Sequence, residues 1–367
     1  MKSSGSFTLA VQELNDKACR AWYVISNVVF KNKRMEVNQI FRLFDALVTP
    51  VASYCDTLWL PYILPINSFT TKSKLIDYWK MFKSELLQQK CSRITLSVNK
   101  TTSRLAVLGE LARYPLFIQS LSHCLNYKLS LYSRMSSNVV ICNMMKEIEK
   151  LASNDCDSWL TRVTKIESVL KIPQNIKFSK HSGKKITVLL KSIFDKHFLE
   201  QINEMKSSGQ DTSDHNKLRM YKTLKGSFTR EPYLTMVRNR NQRSFLSRLR
   251  VGSHNLRIEL GRHTRPVTPL EMRTCQFCNT GPNPTSSQSI DTEYHFLMKC
   301  PMFSADRLCL FEKIESINPH FRFLTNDDKF KVLLCPTTAK TTKMVNTFIK
   351  SMFQYREKMA ITSNGGI

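Results

Sequence analysis

The chain has 367 residues, of which 42% are hydrophobic and 10% aromatic, enough for two or three folded domains and too many for a wholly disordered chain. Lys and Arg number 55 against 29 Asp and Glu, and the formal net charge of +26 predicts a polyanionic partner, nucleic acid before an acidic membrane surface. Glycine occurs only 10 times and no glycine-rich phosphate loop is present, which argues against a conventional nucleotide-binding α/β enzyme.

In chain order, the first elements are helical. Apolar residues recur at steps of three and four between residues 7 and 47, with a second helix predicted over residues 39–48 and ending at Pro50. Residues 51–66 are apolar and interrupted by proline, which predicts an irregular buried segment. Helices are predicted over residues 71–90 and, divided near Pro115, over residues 105–135, with a polar turn at residues 91–103.

The middle of the chain is less patterned. Residues 159–170 predict a short amphipathic helix that ends before Pro173. Residues 206–214 are polar and rich in Ser and Gly, which predicts a linker and a domain boundary. Strand-like alternation is rare and no internal repeat is visible, so the predicted fold class is mostly α.

A basic arm follows the predicted linker. Residues 225–273 hold ten Arg and one Lys against three Glu. A helix over residues 232–250 would gather Arg240, Arg243 and Arg250 on one side and leucines on the other. Guanidinium groups bind phosphate oxygens bidentately, so this face predicts nucleic-acid contact, and a merely solvated helix face is the alternative. The candidate contact residues are Arg238, Arg240, Arg243, Arg248, Arg250 and Arg262.

A Cys/His set follows the arm. Cys275, Cys278, His295 and Cys300 form the pattern C-x2-C-x16-H-x4-C, in which each pair can bind one ion from one turn. Thiolate and imidazole ligands favour zinc, and four protein ligands fill its shell, so a structural zinc site is predicted. Core cysteines beside an unrelated histidine are the alternative. The nearby Cys309 and His263 are expected to be bystanders, and the remaining cysteines small core residues.

No catalytic residue is predicted. Asp327 and Asp328 are the only adjacent acidic pair of the kind that could bind two metal ions, but Thr325 or Asn326 followed by these acids is typical of a helix start. No Ser/His/Asp or Cys/His arrangement can be singled out from spacing. No secretory leader follows Met1 and no segment is apolar enough to span a membrane, so an intracellular protein of the nucleus or cytoplasm, not secreted, is expected.

Six stretches carry a further pattern. They are residues 5–18, residues 43–50 with Tyr54 and Trp59, residues 108–116, residues 249–254, residues 258–262, and the Cys/His set with its His295–Phe296 and Cys300–Pro301 pairs. In this order they resemble the C-terminal part of a non-LTR (LINE-type) retrotransposon reverse transcriptase, downstream of the catalytic palm. The resemblance spans nearly the whole chain.

The resemblance implies a division of the chain: a helical thumb at residues 1–135, a helical connector at 136–225, a basic helix and zinc knuckle at 226–310, and a helical tail at 311–367. In that family these parts hold template RNA and target DNA during target-primed reverse transcription. The chain departs from the pattern at Cys55, Leu60 and Ala112, where the family has glycine, and at Thr57, where an acid is usual.

The family's palm would precede Met1, so the resemblance implies a truncated copy or a fragment without polymerase activity of its own. The expected partners are RNA or DNA, without a membrane or a small-molecule substrate, and association with a full-length polymerase is left open. The alternatives are a part of an active RNA-directed DNA polymerase whose palm lies elsewhere, or a basic module for protein interaction or a membrane surface.

Overall fold

The computed structural model describes residues 6–154, 156–173, 182–207, 218–278 and 289–364. Within these ranges the regular structure is helical, apart from an isolated antiparallel bridge between Thr274 and Ile290, so the prediction of a mostly α fold is confirmed. The α-helices, in chain order, are α1 (Thr8–Lys31), α2 (Val37–Leu47), α3 (Thr49–Ala52), α4 (Asp56–Ile63), α5 (Lys72–Asp77), α6 (Glu85–Leu96), α7 (Arg104–Leu111), α8 (Leu116–Arg134), α9 (Val139–Ser153), α10 (Trp159–Leu170), α11 (Ser182–Ser207), α12 (Arg219–Leu224), α13 (Tyr233–Met236), α14 (Ser244–Arg250), α15 (Arg257–Leu260), α16 (Ser304–Glu315), α17 (Asn326–Leu334) and α18 (Ala339–Asn364).

The chain forms two compact units, each assembled from separate stretches. Unit 1 contains Met1–Val29, Phe41–Cys91 and Arg113–Glu200, and unit 2 contains Phe30–Ile40, Ser92–Ala112 and Gln201–Ile367. Of the predicted linker at residues 206–214, positions 206 and 207 form the end of α11. The rest of the linker lies outside the described residues. The four-part division of the chain stays a prediction.

Aromatic side chains build the core of unit 1. Trp22 of α1 meets Phe44 of α2 edge-on, with ring centroids 5.9 Å apart. Phe82 stacks on Trp59 at 6.2 Å and tilts against Phe117 of α8 at 5.5 Å. Such pairs add specific geometry to the burial of large apolar surfaces. Because all four tryptophans of the chain lie in its segments, tryptophan fluorescence reports on unit 1.

The expected irregular segment at residues 51–66 is largely helical, and the prediction was wrong there. Helix α4 runs through Pro61, which has no N–H to donate to the carbonyl of Thr57 one turn earlier. The indole Nε1 of Trp159 donates to that carbonyl instead, at 2.8 Å. Arg162 donates to the carbonyl of Pro61 at 3.1 Å. The proline is tolerated because side chains of α10 supply donors to backbone carbonyls of α4.

Some of the other predicted helix boundaries are confirmed and others are wrong. The division of residues 105–135 at Pro115 and the helix at residues 159–170 are confirmed by α7, α8 and α10. The helix over residues 71–90 is in fact two helices, α5 and α6, and α6 continues to Leu96 through much of the predicted turn. Helices α9 and α11 lie in the stretch predicted as a helical connector, but their bounds were not predicted.

A buried ion network lies within unit 2. Arg250 and Glu110 are both 0% exposed, and Arg250 Nε donates to Glu110 Oε1 at 2.6 Å. Arg250 also pairs with Glu231 at 2.8 Å, and Tyr233 donates its hydroxyl to Glu110 at 2.6 Å. Burial alone would lower the pKa of Arg250, but Glu110 and Glu231 raise it well above its ordinary value. The arginine is therefore a fixed internal charge.

The basic arm is not one helix, contrary to the prediction for residues 232–250. It consists of α13, a 3-10 turn at Arg240–Gln242 and α14, with Val237 and Asn239 in extended conformation between the helical parts. Helix α14 packs against α18. The helical wheel drawn over residues 232–250 therefore does not describe which side chains face solvent.

Among the described residues, four other than glycine take a left-handed backbone, and two of them, Cys55 and Ala112, lie at helix ends where the resemblance expects glycine. Cys55, the N-cap of α4, has φ 54°, and Ala112, the C-cap of α7, has φ 47°. A side chain with a Cβ atom adopts this conformation at a cost of about 1–2 kcal/mol, which glycine avoids. The third position at which the resemblance expects glycine, Leu60, is a buried residue within α4.

Candidate metal centre

A short antiparallel pairing brings the two halves of the Cys/His set together. Cys275 N donates to the carbonyl of Ser289 at 2.8 Å, and Asp291 N donates to the carbonyl of Arg273 at 2.9 Å. The chain then enters a single turn of π-helix, His295–Lys299, and Cys300 N donates to the carbonyl of His295 at 2.8 Å. This local backbone pattern directs Cys275 and Cys278 toward the residues on the following turn.

The four predicted ligands meet in one buried cluster. Their ligand atoms lie within 4.8 Å of one another, and all four residues are buried. Cys275 Sγ lies 3.9 Å from Cys300 Sγ, and Cys278 Sγ lies 3.2 Å from His295 Nε2. A tetrahedral ion with metal–sulfur bonds of about 2.3 Å holds its sulfur ligands about 3.8 Å apart. The donor set and the spacing can therefore hold a metal ion.

Protons are unevenly shared among the thiols of the cluster. A hydrogen bond from Cys300 lowers the pKa of Cys275 to about 3, and the same contact raises the pKa of Cys300. Burial raises the pKa of Cys278 to about 11. The Nδ1 atom of His295 is buried and has no hydrogen-bond partner in the described part of the chain. Metal binding would replace these thiol protons, because a metal binds the thiolate form.

Helix α18 reaches the cluster through one arginine. Arg356 donates to both carboxylate oxygens of Asp291, at 3.0 and 2.5 Å, and both residues are buried. Its guanidinium also lies 4.6 Å from the ring centroid of Phe277, between the first two ligands. Asp291 further accepts from the backbone N of Arg257 at 2.8 Å. These contacts fix both halves of the cluster against the body of unit 2.

A second buried carboxylate lies two residues before the histidine ligand. Glu293 accepts hydrogen bonds from Arg219 at 2.7 and 2.8 Å and pairs with His254 at 2.9 Å. Burial alone would raise the pKa of Glu293, but Arg219 and His254 lower it to about 2. No local sequence pattern indicates a role for Glu293 or Asp291. Their partners come from distant parts of the chain, which no local spacing reveals.

Three of the six predicted nucleic-acid contacts are buried. Arg243 and Arg250 are 1% and 0% exposed, and Arg240 is 8% exposed. Arg243 donates to the carbonyls of Val237 and Thr95 at 2.8 and 3.3 Å, and Arg250 lies in the ion network described above. The expectation that these three form a solvent-facing side of a helix is wrong. Their guanidinium groups stabilise the interior of unit 2.

The other three predicted contacts retain partial or full exposure. The side chain of Arg238 is 75% exposed and pairs with Glu36 at 2.7 Å. Arg248 is half-buried, and Arg262 lies 3.6 Å from Glu259 with a side chain 10% exposed. Of the predicted set, Arg238 and Arg248 thus remain open to a solvent-borne ligand.

Residues set aside in the sequence analysis behave largely as expected. Thr325 caps α17 by accepting from Asp328 N at 3.2 Å, so Asp327 and Asp328 begin a helix. Cys309 and His263 are exposed and are not members of the cluster. Among the other cysteines, Cys91 and Cys124 are buried, as expected for core residues. The same expectation is wrong for the exposed residues Cys19, Cys55 and Cys156.

A shallow cleft in unit 1 has on its wall a further histidine with a carboxylate partner. Its volume is about 220 Å³, and His197 on its wall pairs with Asp77 at 2.8 Å. Ser73 and Ser192 also line the cleft. In the part of the chain that the structure describes, neither hydroxyl is hydrogen-bonded to His197.

Comparisons with known proteins identify no relative. No family model matches the chain, and neither the curated proteins nor the solved structures give a match. In the described ranges, no helix combines the length and the apolar character needed to cross a membrane.

Proposed function

We propose that this chain is a non-catalytic, nucleic-acid-binding part of a non-LTR retrotransposon reverse transcriptase, with thumb-like and connector helices and a zinc knuckle. The observation that carries the proposal is the backbone at Cys55 and Ala112. The resemblance expects glycine at both positions, and both have positive φ, of 54° and 47°. Among the described residues, only Ser97 and Lys171 otherwise combine a side chain with positive φ. Both positions thus have a backbone that glycine adopts without strain, in agreement with the residue that the resemblance expects there.

Ion pairs between the stretches that carry the resemblance also support the proposal. In unit 1, Asp45 of the second stretch pairs with Arg113 of the third, and Arg113 Nη1 donates to Asp45 Oδ2 at 2.8 Å. In unit 2, Glu110 pairs with Arg250 of a later stretch at 2.6 Å. Residues of successive stretches therefore contact each other within each unit. Such contacts would explain why the stretches belong to a single pattern.

The metal is proposed to be zinc. Three thiolates and one imidazole form a soft ligand set that suits zinc better than calcium or magnesium. Cys275, Cys278, His295 and Cys300 fill a tetrahedral shell, which leaves no position for a substrate or water. Zinc would therefore fix the turns around residues 275 and 300 as a small knuckle. Its role would be structural.

The lack of catalysis is part of the proposal. Asp327 and Asp328 are the only adjacent pair of aspartates in the sequence, and Thr325 caps the helix that they begin. Residues that begin a capped helix balance its positive end and are not arranged to bind two metal ions about 4 Å apart. The excess of positive charge, +26, supports a polyanionic partner.

The test is a fluorescence-anisotropy titration of the zinc-loaded chain with a labelled single-stranded RNA, at salt concentrations from about 50 to about 200 mM. We expect binding that weakens linearly on a log–log plot as salt rises, because each phosphate contact releases a counterion. Vesicles of anionic lipid serve as the comparison, because a membrane-surface module would prefer them. Binding to vesicles without binding to RNA would overturn the proposal, as would metal-dependent primer extension by the pure chain.

A further inference from the structure

The C-terminal end of helix α6, in unit 2, has a backbone that normally requires glycine. Ser97, the residue after the helix, has φ 59°. Val98 N donates to the carbonyl of Arg93 at 3.1 Å, and Ser97 N donates to the carbonyl of Ile94 at 3.1 Å. These two backbone hydrogen bonds, one enclosing the other, form a Schellman-type helix end. Residues 97–103 then form a polar turn, which Asn99 N ties down by donating to Ser253 Oγ at 2.9 Å.

Arginines from the basic arm bind the carbonyl groups of this helix end. Arg243 Nη2 donates to the carbonyl of Thr95 at 3.3 Å. Arg248 Nε donates to the carbonyl of Ser97 at 2.7 Å. Arg93, on the last turn of α6, donates to the carbonyl of Thr102 at 3.1 Å and so holds the far side of the turn. Two guanidinium groups therefore donate to the turn itself, and a third donates to the last turn of α6 beside it.

These charges exceed what the helix end can balance. The C-terminus of a helix carries about half a unit of negative charge, and three guanidinium groups bring three positive charges. Burial lowers the pKa of Arg243 to about 10 and also lowers the pKa values of Arg93 and Arg248. Like charge contributes as well, from Arg240 to Arg243 and from Arg104 to Arg93. Among the described residues, no carboxylate contributes to any of these three shifts.

This situation contrasts with that of two buried arginines elsewhere in unit 2. Arg250 and Arg356 each pair with a buried carboxylate, Glu110 and Asp291 respectively. A partly desolvated charge without a counter-charge is costly, and an anion from solvent can remove that cost. The surface above the turn presents Lys100, whose side chain is exposed. The turn therefore combines a positive interior with an accessible cation.

We propose that the turn at residues 97–103, with Lys100, Arg93, Arg104 and Arg248 around it, binds a backbone phosphate of the nucleic acid. The inference rests on the proposed function and assigns its contact site within unit 2. It replaces the helix face over residues 232–250 that the arginine spacing had suggested. The buried Arg243 acts here through its charge and through its support of the turn.

The composition of the turn sets the kind of recognition. Apart from Val98, residues 97–104 carry hydroxyl, amide and basic side chains, and none is aromatic, so a base has no ring to stack on. Phosphate contacts fix the position of a nucleic acid and carry no sequence information. We therefore expect the site to bind RNA homopolymers of different bases with similar affinity. A strong preference for one base would contradict a phosphate site.

The test compares two double charge reversals with equal change of charge. Lys100→Glu/Arg104→Glu alters the turn, and Lys340→Glu/Lys343→Glu alters two exposed positions at the start of α18, also in unit 2. RNA affinity is measured by anisotropy over a salt series, and circular dichroism verifies folding. We expect the turn variant to bind about tenfold or more weakly, with a salt slope smaller by about 1 for each lost contact, and the control to change much less.

The outcomes separate the site from the function. If both variants weaken binding equally, the nucleic-acid-binding function stands and the site is wrong, because only overall charge matters. If the unaltered chain does not bind RNA, the proposed function fails first. In that case binding of inorganic tripolyphosphate, lost in the turn variant and kept in the control, would still support an anion site. Should the double variant fail to fold, Lys100→Ala alone is expected to reduce the salt slope by about 1.

Discussion

Replacing Glu110 by Gln tests whether the buried ion network stabilises unit 2. The carboxylate of Glu110 accepts from Arg250 Nε at 2.6 Å, from Arg250 Nη2 at 3.3 Å and from the hydroxyl of Tyr233 at 2.6 Å. The substitution keeps the volume and removes the charge. Arg250 then keeps one carboxylate, Glu231 at 2.8 Å, and the carbonyl of Leu334 at 2.7 Å.

The expected loss of unfolding free energy follows from these contacts. Breaking a buried ion pair by removing one partner costs about 3–5 kcal/mol. Because Glu231 still balances part of the charge on Arg250, we expect a value near the lower limit, about 3 kcal/mol. At a urea dependence of about 3 kcal/mol per molar, the midpoint should fall by about 1 M.

Far-UV circular dichroism is the appropriate assay for this change. The four tryptophans lie in unit 1, so tryptophan fluorescence would not report on the network. The matched control is Glu36→Gln, which removes the same charge from the exposed pair with Arg238 and should cost less than about 1 kcal/mol. If Glu110→Gln destabilised unit 2 no more than Glu36→Gln does, the idea that the network balances a fixed internal charge would be refuted.

Three further predictions concern the metal, the pH response and the strained backbone. Cys278→Ser should lower bound zinc, measured by mass spectrometry of metals, and raise amide exchange at residues 273–300, while Cys309→Ser leaves both unchanged. A hydrogen bond to Asp56 raises the pKa of His123, so its stabilisation of unit 1 should be present at about pH 5.5 and lost as pH rises through the raised pKa. The difference in fluorescence-detected unfolding between the natural chain and His123→Gln should shrink accordingly, and a constant difference would contradict it. Ala112→Gly should raise the unfolding free energy by about 0.5–1 kcal/mol, because glycine adopts positive φ without a Cβ penalty, and no gain would exclude backbone strain.

The sequence predicted those features that depend on neighbours close in the chain. Cys275 and Cys278 lie three residues apart and could be paired with His295 and Cys300 by spacing alone. The cap at Thr325 was equally local. The predominance of helices followed from apolar periodicity, which needs no knowledge of the partner.

The features that sequence could not predict depend on distant partners. Proline at position 61 contributed to the prediction of an irregular segment, and nothing local shows that Trp159 would donate to the freed carbonyl of Thr57. The positions of Arg240 and Arg243 on a helical wheel suggested exposure, whereas carbonyls at the end of α6, about 150 residues earlier, bind both side chains. A charged residue bound to backbone carbonyls leaves no compensating acid in the sequence to signal its burial.

Because the ion pair of Arg356 with Asp291 joins residues far apart in the chain, it forms only late during synthesis. The four ligands are complete when Cys300 is made, but Arg356 follows 56 residues later. At about 5–20 residues per second, this interval lasts about 3–11 s. During that time the ribosome-bound chain carries the thiols without the helix that holds Asp291 and covers Phe277. Early metal capture would protect these cysteines from oxidation until α18 docks.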